Sequence, residues 1–342
     1  MLKIAILGSR GVGKTVLFRI LTGGEPSPRG YFSGIGVAEV PDRRMDCLRK
    51  VIEHKKSVYP HFEIHDFDGF GKMWKEERSG EILQALLGFD LLVHVVADFG
   101  TFSLDEVDEI ELRFILTDMG VIERKLKKMS KELPGKSDLE EKWLLEKILE
   151  KLKEEISISQ ISLTEGEKKR ISGYGFLSLR PRMVFLNRDE RKLFEPLSES
   201  FISSLERKGV PFVEGSLKLE HEINSLKEDE RKEFEEAYGI KEPLKIRFFE
   251  GVRKTLDLIQ FYTIAKGEIR AWPIKNGTTA REAAGEIHTD MEKGFIRAEV
   301  IPVETLVSLG SLTQAKEKGL LRLEGKDYVV KDGDILYIRF SV

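Results

Sequence analysis

The sequence has a single cysteine, Cys47, among 342 residues, which excludes an intramolecular disulfide and any zinc site built on several thiolates. It has no strong excess of either charge: 56 basic residues stand against 59 acidic ones, a formal charge of −3. No overall field therefore draws in nucleic acid, and any such binding has to come from a local patch. No run approaches the roughly 18 uninterrupted apolar residues of a membrane-spanning helix. The opening stretch, Met1-Leu-Lys-Ile-Ala-Ile-Leu-Gly8, lacks the charged region, long apolar run and cleavage site of a signal peptide. Repeats and low-complexity tracts are missing as well. Together these absences indicate a chain of a reducing compartment, the cytoplasm, with no membrane partner. They leave its oligomeric state open. The length calls for several modules rather than one.

What is present is a change of texture along the chain. Up to about Asp98 short apolar runs alternate with helical patterns: Lys3–Leu7, Thr15–Leu21, Phe62–Asp66, Ile82–Leu87 and Leu91–Val96. Strand, crossover helix and strand in that order predict an α/β domain with a mainly parallel, doubly wound sheet. Two segments then carry apolar residues at helical spacing, one through Leu112, Ile115, Leu116, Met119, Ile122 and Leu126, the other through Leu139, Trp143, Leu144, Ile148, Leu149 and Leu152. Pro134-Gly135 separates them, predicting a helical hairpin inserted in the α/β domain. Strand signals resume at Arg182–Leu186 and Pro211–Val213, charged helices follow over Ser225–Leu258, and from Ile264 short alternating segments predict a small β-rich domain. The expected boundaries are 1–103 and 177–263 for the two parts of the α/β domain, 104–176 for the hairpin and 264–342 for the last domain.

Gly8-Ser-Arg-Gly-Val-Gly-Lys-Thr15 fits GxxxxGK(S/T) between an apolar strand and a helix, the context that gives this motif its mechanism. Gly8, Gly11, Val12 and Gly13 are expected to turn backbone N–H groups toward a phosphate at a helix N-terminus. Lys14 is expected to neutralise β- and γ-phosphate oxygens and is the candidate catalytic residue. Thr15 is a candidate Mg²⁺ ligand. After the strand Phe62–His65 comes Asp66-Phe-Asp-Gly69, where an aspartate would hold the metal and the Gly69 N–H would meet a γ-phosphate. Asp66 is preferred, with Asp68 as the rival acid. The next residue is Phe70, which cannot orient an attacking water as a glutamine would, so slow turnover is expected unless another group intervenes. His65 and His94 are candidates for that task, although a histidine on an apolar strand is more often structural.

Asn187-Arg-Asp-Glu190 follows the strand Arg182–Leu186 and occupies the place of a base-reading loop. A longer acid at the fourth position crowds the bidentate contact that an aspartate makes with guanine, so adenine becomes plausible. Asp189, one position short, keeps guanine open. Ser216-Leu-Lys218 stands where a final base-contacting loop belongs, with Ser216 and Leu217 as candidate contacts.

With these motifs in place the chain resembles the Obg-related YchF family, or Obg-like ATPases. The resemblance extends over essentially the whole length. It is densest at Ile269-Arg-Ala-Trp272, Gly277-Thr-Thr-Ala280, Gly285-Glu-Ile-His-Thr-Asp290, Glu292-Lys-Gly-Phe-Ile-Arg-Ala-Glu-Val300 and Glu324-Gly-Lys-Asp-Tyr328. The resemblance implies a P-loop NTPase with a Ras-like G domain, an inserted coiled-coil arm and a C-terminal β-grasp-like TGS domain. It also implies slow hydrolysis of ATP, in some members GTP, with Asn187 and Glu190 at adenine, and a ribosomal subunit or RNA as partner. Two departures stand out. Ser9-Arg-Gly11 replaces the family's Pro-Asn in the P-loop, and Pro28-Arg-Gly-Tyr-Phe-Ser-Gly-Ile35 replaces its threonine-bearing first switch, leaving no threonine there and Ser33 as the candidate replacement hydroxyl.

The hairpin begins with Arg124, Lys125, Lys127, Lys128 and Lys131, a candidate phosphate-contacting face. Over Glu123–Glu155, however, ten basic residues meet nine acidic ones, as a solvated helical pair also would. Trp272 and Phe295 are candidates for stacking on bases, though core packing is the commoner role. Three functions fit these features: an ATPase switch acting on a ribosome-associated partner, a guanine-specific GTPase, and a nucleotide-dependent scaffold without turnover.

Overall fold

A computed structural model describes residues 1–27, 32–67, 79–100, 105–131, 136–240 and 242–341. The chain divides into two units, each discontinuous in sequence. One joins Met1–Ala38 to Glu63–Leu244, and the other joins Glu39–Phe62 to Lys245–Val342.

The first unit is built on strands β1 (Lys3–Leu7), β2 (Phe32–Glu39), β4 (His61–Phe67), β5 (Leu91–Ala97), β6 (Arg182–Asn187) and β7 (Phe212–Gly215), in the spatial order β2-β4-β1-β5-β6-β7. β1 lies parallel to both β4 and β5, β5 to β6, and β6 to β7. Every residue of β5 and β6 is buried, which is why these strands read as continuous apolar runs rather than alternating ones. Chain order and spatial order part company at β1, where the run toward β2 gives way to the run toward β7. The crevice outside the strand ends at such a switch point is where open α/β sheets bind ligands. Helices α1 (Lys14–Thr22) and α3 (Ser79–Leu86) follow β1 and β4. Between them in sequence, α2 (Arg43–Val51) and β3 (Lys56–Val58) belong to the second unit.

The insertion holds α4 (Glu106–Met129) and α5 (Lys136–Lys153), as the spacing predicts. It is more than a bare hairpin. Helix α6 (Glu165–Ile171) and Phe176 close on the pair, giving it a core through Ile115, Ile122, Leu144, Leu145, Ile148, Leu152, Ile158 and Ile171. The root of α4 is tied to the sheet by buried polar groups. Glu111 accepts from Arg182 of β6 and from the Ser157 hydroxyl, and Asp118 accepts from the backbone of Leu177 and Ser178 at 2.9 and 2.8 Å. Helices α7 (Glu199–Arg207), α8 (Leu217–Ser225) and α9 (Glu228–Ala237) complete the unit.

The second unit is a mixed sheet ordered β11-β10-β12-β8-β9-β3, from β8 (Leu258–Ala265), β9 (Glu268–Lys275), β10 (Phe295–Pro302), β11 (Arg322–Glu324) and β12 (Asp334–Phe340) together with β3. β8 pairs with β9 over its whole length, from Leu258 opposite Lys275 to Ala265 opposite Glu268, so a boundary at 263/264 cuts through a strand and the unit starts earlier. Outside the named strands, Val329 makes an isolated antiparallel bridge with Thr279. The largest departure from the expected boundaries is Glu39–Phe62. β3 is the edge strand, parallel to β9. Met45 and Leu48 of α2 pack on Tyr262, Ile269, Ala271, Ile301 and Ile335. The Asp42 carboxylate caps α2 and accepts from Gln260 and the Tyr262 hydroxyl at 2.8 and 2.7 Å. Trp272 lies half-buried on Phe261, with its indole N–H donated to Thr263.

Among the described residues no helix is long and apolar enough to cross a membrane.

Candidate functional site

The site assembles where β1, β4, β5 and β6 end. After β1 the chain turns at Gly8, whose φ is +139° and whose absent Cβ would lie 2.3 Å from the Val95 carbonyl oxygen. Only glycine lets the loop pass this close to β5. Gly13, at φ +104°, would place a Cβ 2.7 Å from both the Asn187 amide nitrogen and a Leu217 methyl. The cradle is thus shaped by backbone with side chains excluded, as a phosphate loop requires.

α1 starts at Lys14, with Gly13 as an N-cap that offers no side-chain acceptor, so the first N–H groups are presented by the helix itself. Lys14 is buried and its ammonium donates to the Ser9 carbonyl at 2.8 Å. The Thr15 hydroxyl donates to the Asp66 carboxylate at 2.8 Å, bringing the loop after β1 onto the end of β4. Asp66 is fully buried. A hydroxyl and a carboxylate in contact are the hard oxygen donors that suit Mg²⁺, an ion that usually takes one or two carboxylates along with substrate phosphates. Thr15 and Asp66 therefore fit the metal that the sequence implies. Asp68, Gly69 and Phe70 lie outside the described residues.

Ser33 sits on β2 and donates its hydroxyl to the Asp66 backbone carbonyl at 3.2 Å. The two candidate histidines are enclosed by the fold. His65 contacts Glu63 through Nε2 and packs edge-on against Phe32 and Phe89. His94 is buried on β5, opposite Leu7 in register, and its Nε2 has no hydrogen-bond partner among the described residues. Burial, aided by the Lys14 charge, lowers its pKa to about 3. An unfolded histidine takes up its proton near pH 6.5, and the folded one only near 3, so between these values the unfolded state carries the extra proton and stability falls as pH falls. We expect acidification from pH 6.5 to 5 to remove about 2 kcal/mol through this residue. Denaturant titrations at both pH values should show a smaller drop for His94→Leu than for the wild type; equal drops would refute the assignment.

Asn187, at the end of β6, has an organising position. Its amide nitrogen donates to the Val12 carbonyl at 2.9 Å, and its oxygen accepts from the Leu217 N–H at 3.0 Å. One side chain thereby fastens the loop before α1 to the loop before α8, where buried Ser216 caps the helix. Beside this clasp lies a cavity of about 440 Å³ lined by Phe99, Asn187, Arg188, Asp189, Glu190, Arg191, Ser216 and Lys218. Leu217 is buried behind it and does not line it. Both acids of the loop are engaged. The Asp189 carboxylate accepts from Arg191 at Nε and Nη2, 3.0 and 2.8 Å, which holds its pKa well below the usual carboxylate range. Glu190 accepts from Lys218 at 2.7 Å.

Three participants escape a reading of the sequence alone. Asp98 accepts from the Asp189 N–H at 2.8 Å and from Arg188 at 3.2 Å, and so sets the pose of the loop. Phe99 lines the cavity, and Lys218 pairs with Glu190. The position of Asp98 directly past a buried strand was the available signal, because ligand-side loops leave strands there.

A family profile described as YchF-GTPase_C, a protein of unknown function, matches residues 258–341. The chain is 34% identical to "Ribosome-binding ATPase YchF" of Pasteurella multocida, with 99% of each chain covered, and 31% identical to the protein of the same description from Bacillus subtilis, with 100% of each covered. The fold matches a solved structure, the Schizosaccharomyces pombe YchF GTPase, with a TM-score of 0.83 at 24% identity over 99% of this chain and 97% of that one.

Proposed function

The chain belongs to the YchF family, and from that premise we propose that it is a slow, Mg²⁺-dependent ATPase that associates with the ribosome in a nucleotide-dependent way. The observation that carries this reading is the Thr15–Asp66 contact at 2.8 Å beside buried Lys14. It joins the phosphate loop and the end of β4 at the sheet's switch point. In this reading the backbone of Gly8, Gly11, Val12 and Gly13 cradles phosphate oxygens and Lys14 neutralises their charge. Thr15 and Asp66 would hold Mg²⁺, which as a Lewis acid draws charge from the phosphoryl oxygens. Gly69 would supply an N–H to the γ-phosphate. Asn187 keeps the two loops in register, and the base enters the cavity bounded by Glu190 and Ser216, with Leu217 packed behind. Phe70 leaves the attacking water without a side chain to orient it, hence slow turnover. Adenine is favoured over guanine because the Asp189 carboxylate is already taken by Arg191.

For the ribosome, α4 offers a suitable surface. Arg124, Lys127 and Lys128 follow one another at spacings of three and one residues, which places them on one helical stripe, Lys131 follows in the turn just past the helix end, and all four are exposed. Lys125 points elsewhere, toward Glu141 and the Tyr174 ring. Cosedimentation with ribosomes at two salt concentrations tests the proposal. We expect binding to differ between a non-hydrolysable ATP analogue and ADP, and to weaken roughly tenfold or more when all four cations become glutamate, with a shallower salt dependence. Ribosome binding that ignores both nucleotide and salt would overturn it.

A further inference from the structure

This inference rests on the ATPase reading and concerns how the base is chosen. Guanine presents its N1–H and N2–H donors side by side, and one ionised carboxylate accepts both; adenine has only its N6 amine to donate. A free carboxylate over the base cavity therefore favours guanine by a pair of charge-assisted hydrogen bonds. This cavity is lined by two carboxylates, and cations of the same chain occupy both. They are held differently. Asp189 is bound by its near neighbour Arg191 through the guanidinium and the backbone N–H, the latter at 3.0 Å. Glu190 is bound by a single contact from Lys218, which reaches it from the first turn of α8.

We propose that Lys218 is a specificity-determining positioning residue: by holding the Glu190 carboxylate, it withholds from guanine the acceptor that would read N1–H and N2–H, and so biases the site toward adenine. Lys218 needs no contact with the nucleotide to do this. Its side chain is 66% exposed and that of Glu190 32%, so the pair contributes little to stability. Removing the lysine should free the carboxylate while leaving the fold intact.

The test is calorimetric binding of non-hydrolysable ATP and GTP analogues with Mg²⁺ to the full chain. Lys218→Ala should move the ATP-to-GTP affinity ratio toward GTP by roughly tenfold, the scale of a gained charge-assisted contact. Lys218→Arg should keep the wild-type ratio. In a Glu190→Gln background Lys218→Ala should leave the ratio where it was, because the lysine acts through that carboxylate. An unchanged ratio in Lys218→Ala overturns the inference. So does an equal loss for both nucleotides, which would place the ammonium on ribose or phosphate, and so does the same shift in the Gln background. A wild type that binds neither analogue defeats the ATPase reading itself, whereas ATP binding with an unmoved ratio defeats only the role of Lys218.

Discussion

Lys14→Ala is expected to reduce affinity for Mg·ATP, or turnover, by about two to three orders of magnitude, the scale of one ionised donor removed from a charged, water-poor site. The ammonium lies under the loop, donating to the Ser9 carbonyl, and no nearby cation of the cradle can take its place: Arg10 is exposed. Lys14→Arg should fail as well, since a planar guanidinium does not fit a position shaped for a compact point charge. Titration calorimetry with the ATP analogue measures the loss, and thermal unfolding without nucleotide provides the control. The control matters because deleting Lys14 also removes the charge that helps keep His94 neutral. A variant that keeps wild-type affinity and rate would sink the phosphate-loop assignment.

The second large effect concerns stability. Gly8→Ala drives a methyl group to 2.3 Å from the Val95 carbonyl oxygen, at a backbone φ of +139°. The atom met is the backbone carbonyl of Val95 on the buried strand β5, so no flexible side chain can yield. The expected loss is about 3–5 kcal/mol, in the range reached only by strain or overpacking in a core. For a unit of this size that corresponds to a fall of roughly 10 °C in the melting temperature of the first unit. Gly23 makes the useful comparison. It also has a positive φ, +68°, but a Cβ there would meet nothing within 4 Å, so Gly23→Ala should cost only about 1 kcal/mol. Scanning calorimetry of the two variants separates close approach from backbone conformation. Equal destabilisation would show that the contact with Val95 is not what makes Gly8 necessary.

These residues illustrate what the sequence makes legible. β1, the glycine turn and α1 are local: an apolar run, then residues that tolerate positive φ, then helical periodicity, all within about twenty positions. The parallel strands β5 and β6 are legible for the same reason, since burial on both faces writes itself as unbroken apolar sequence. Contacts between distant residues leave no such trace. The pairing of Glu190 with Lys218 depends on two loops being brought together by β6 and β7, and neither residue signals the other. Nothing in the sequence marks Asp98 as the residue that accepts from the Asp189 N–H and so holds the loop after β6. β8 was hidden because Leu258–Ala265 follows charged helices without a Gly or Pro to mark the change, and its identity comes from pairing with β9. The home of Glu39–Phe62 was the least legible feature. A short helix after a strand reads as one more crossover of the α/β unit, and only the packing of Met45 and Leu48 against Tyr262 and Ile335 says otherwise.

That last arrangement has a consequence for synthesis. Residues 39–62 leave the ribosome early, yet the strands they pack on begin at Leu258 and close only with β12 at Asp334–Phe340. At roughly 5–20 residues per second, the stretch 63–244 alone takes on the order of ten to forty seconds to translate. Through that interval the nascent chain carries α2 with Met45 and Leu48 uncovered and β3 without its neighbour. The second unit cannot form from its C-terminal portion first, nor can a fragment beginning at 245 bury Tyr262 and Ile335 as the whole chain does. Maturation of this protein is therefore timed by its own length, and the apolar face of α2, Met45 and Leu48, has to be kept from other partners until the strands it packs on are made.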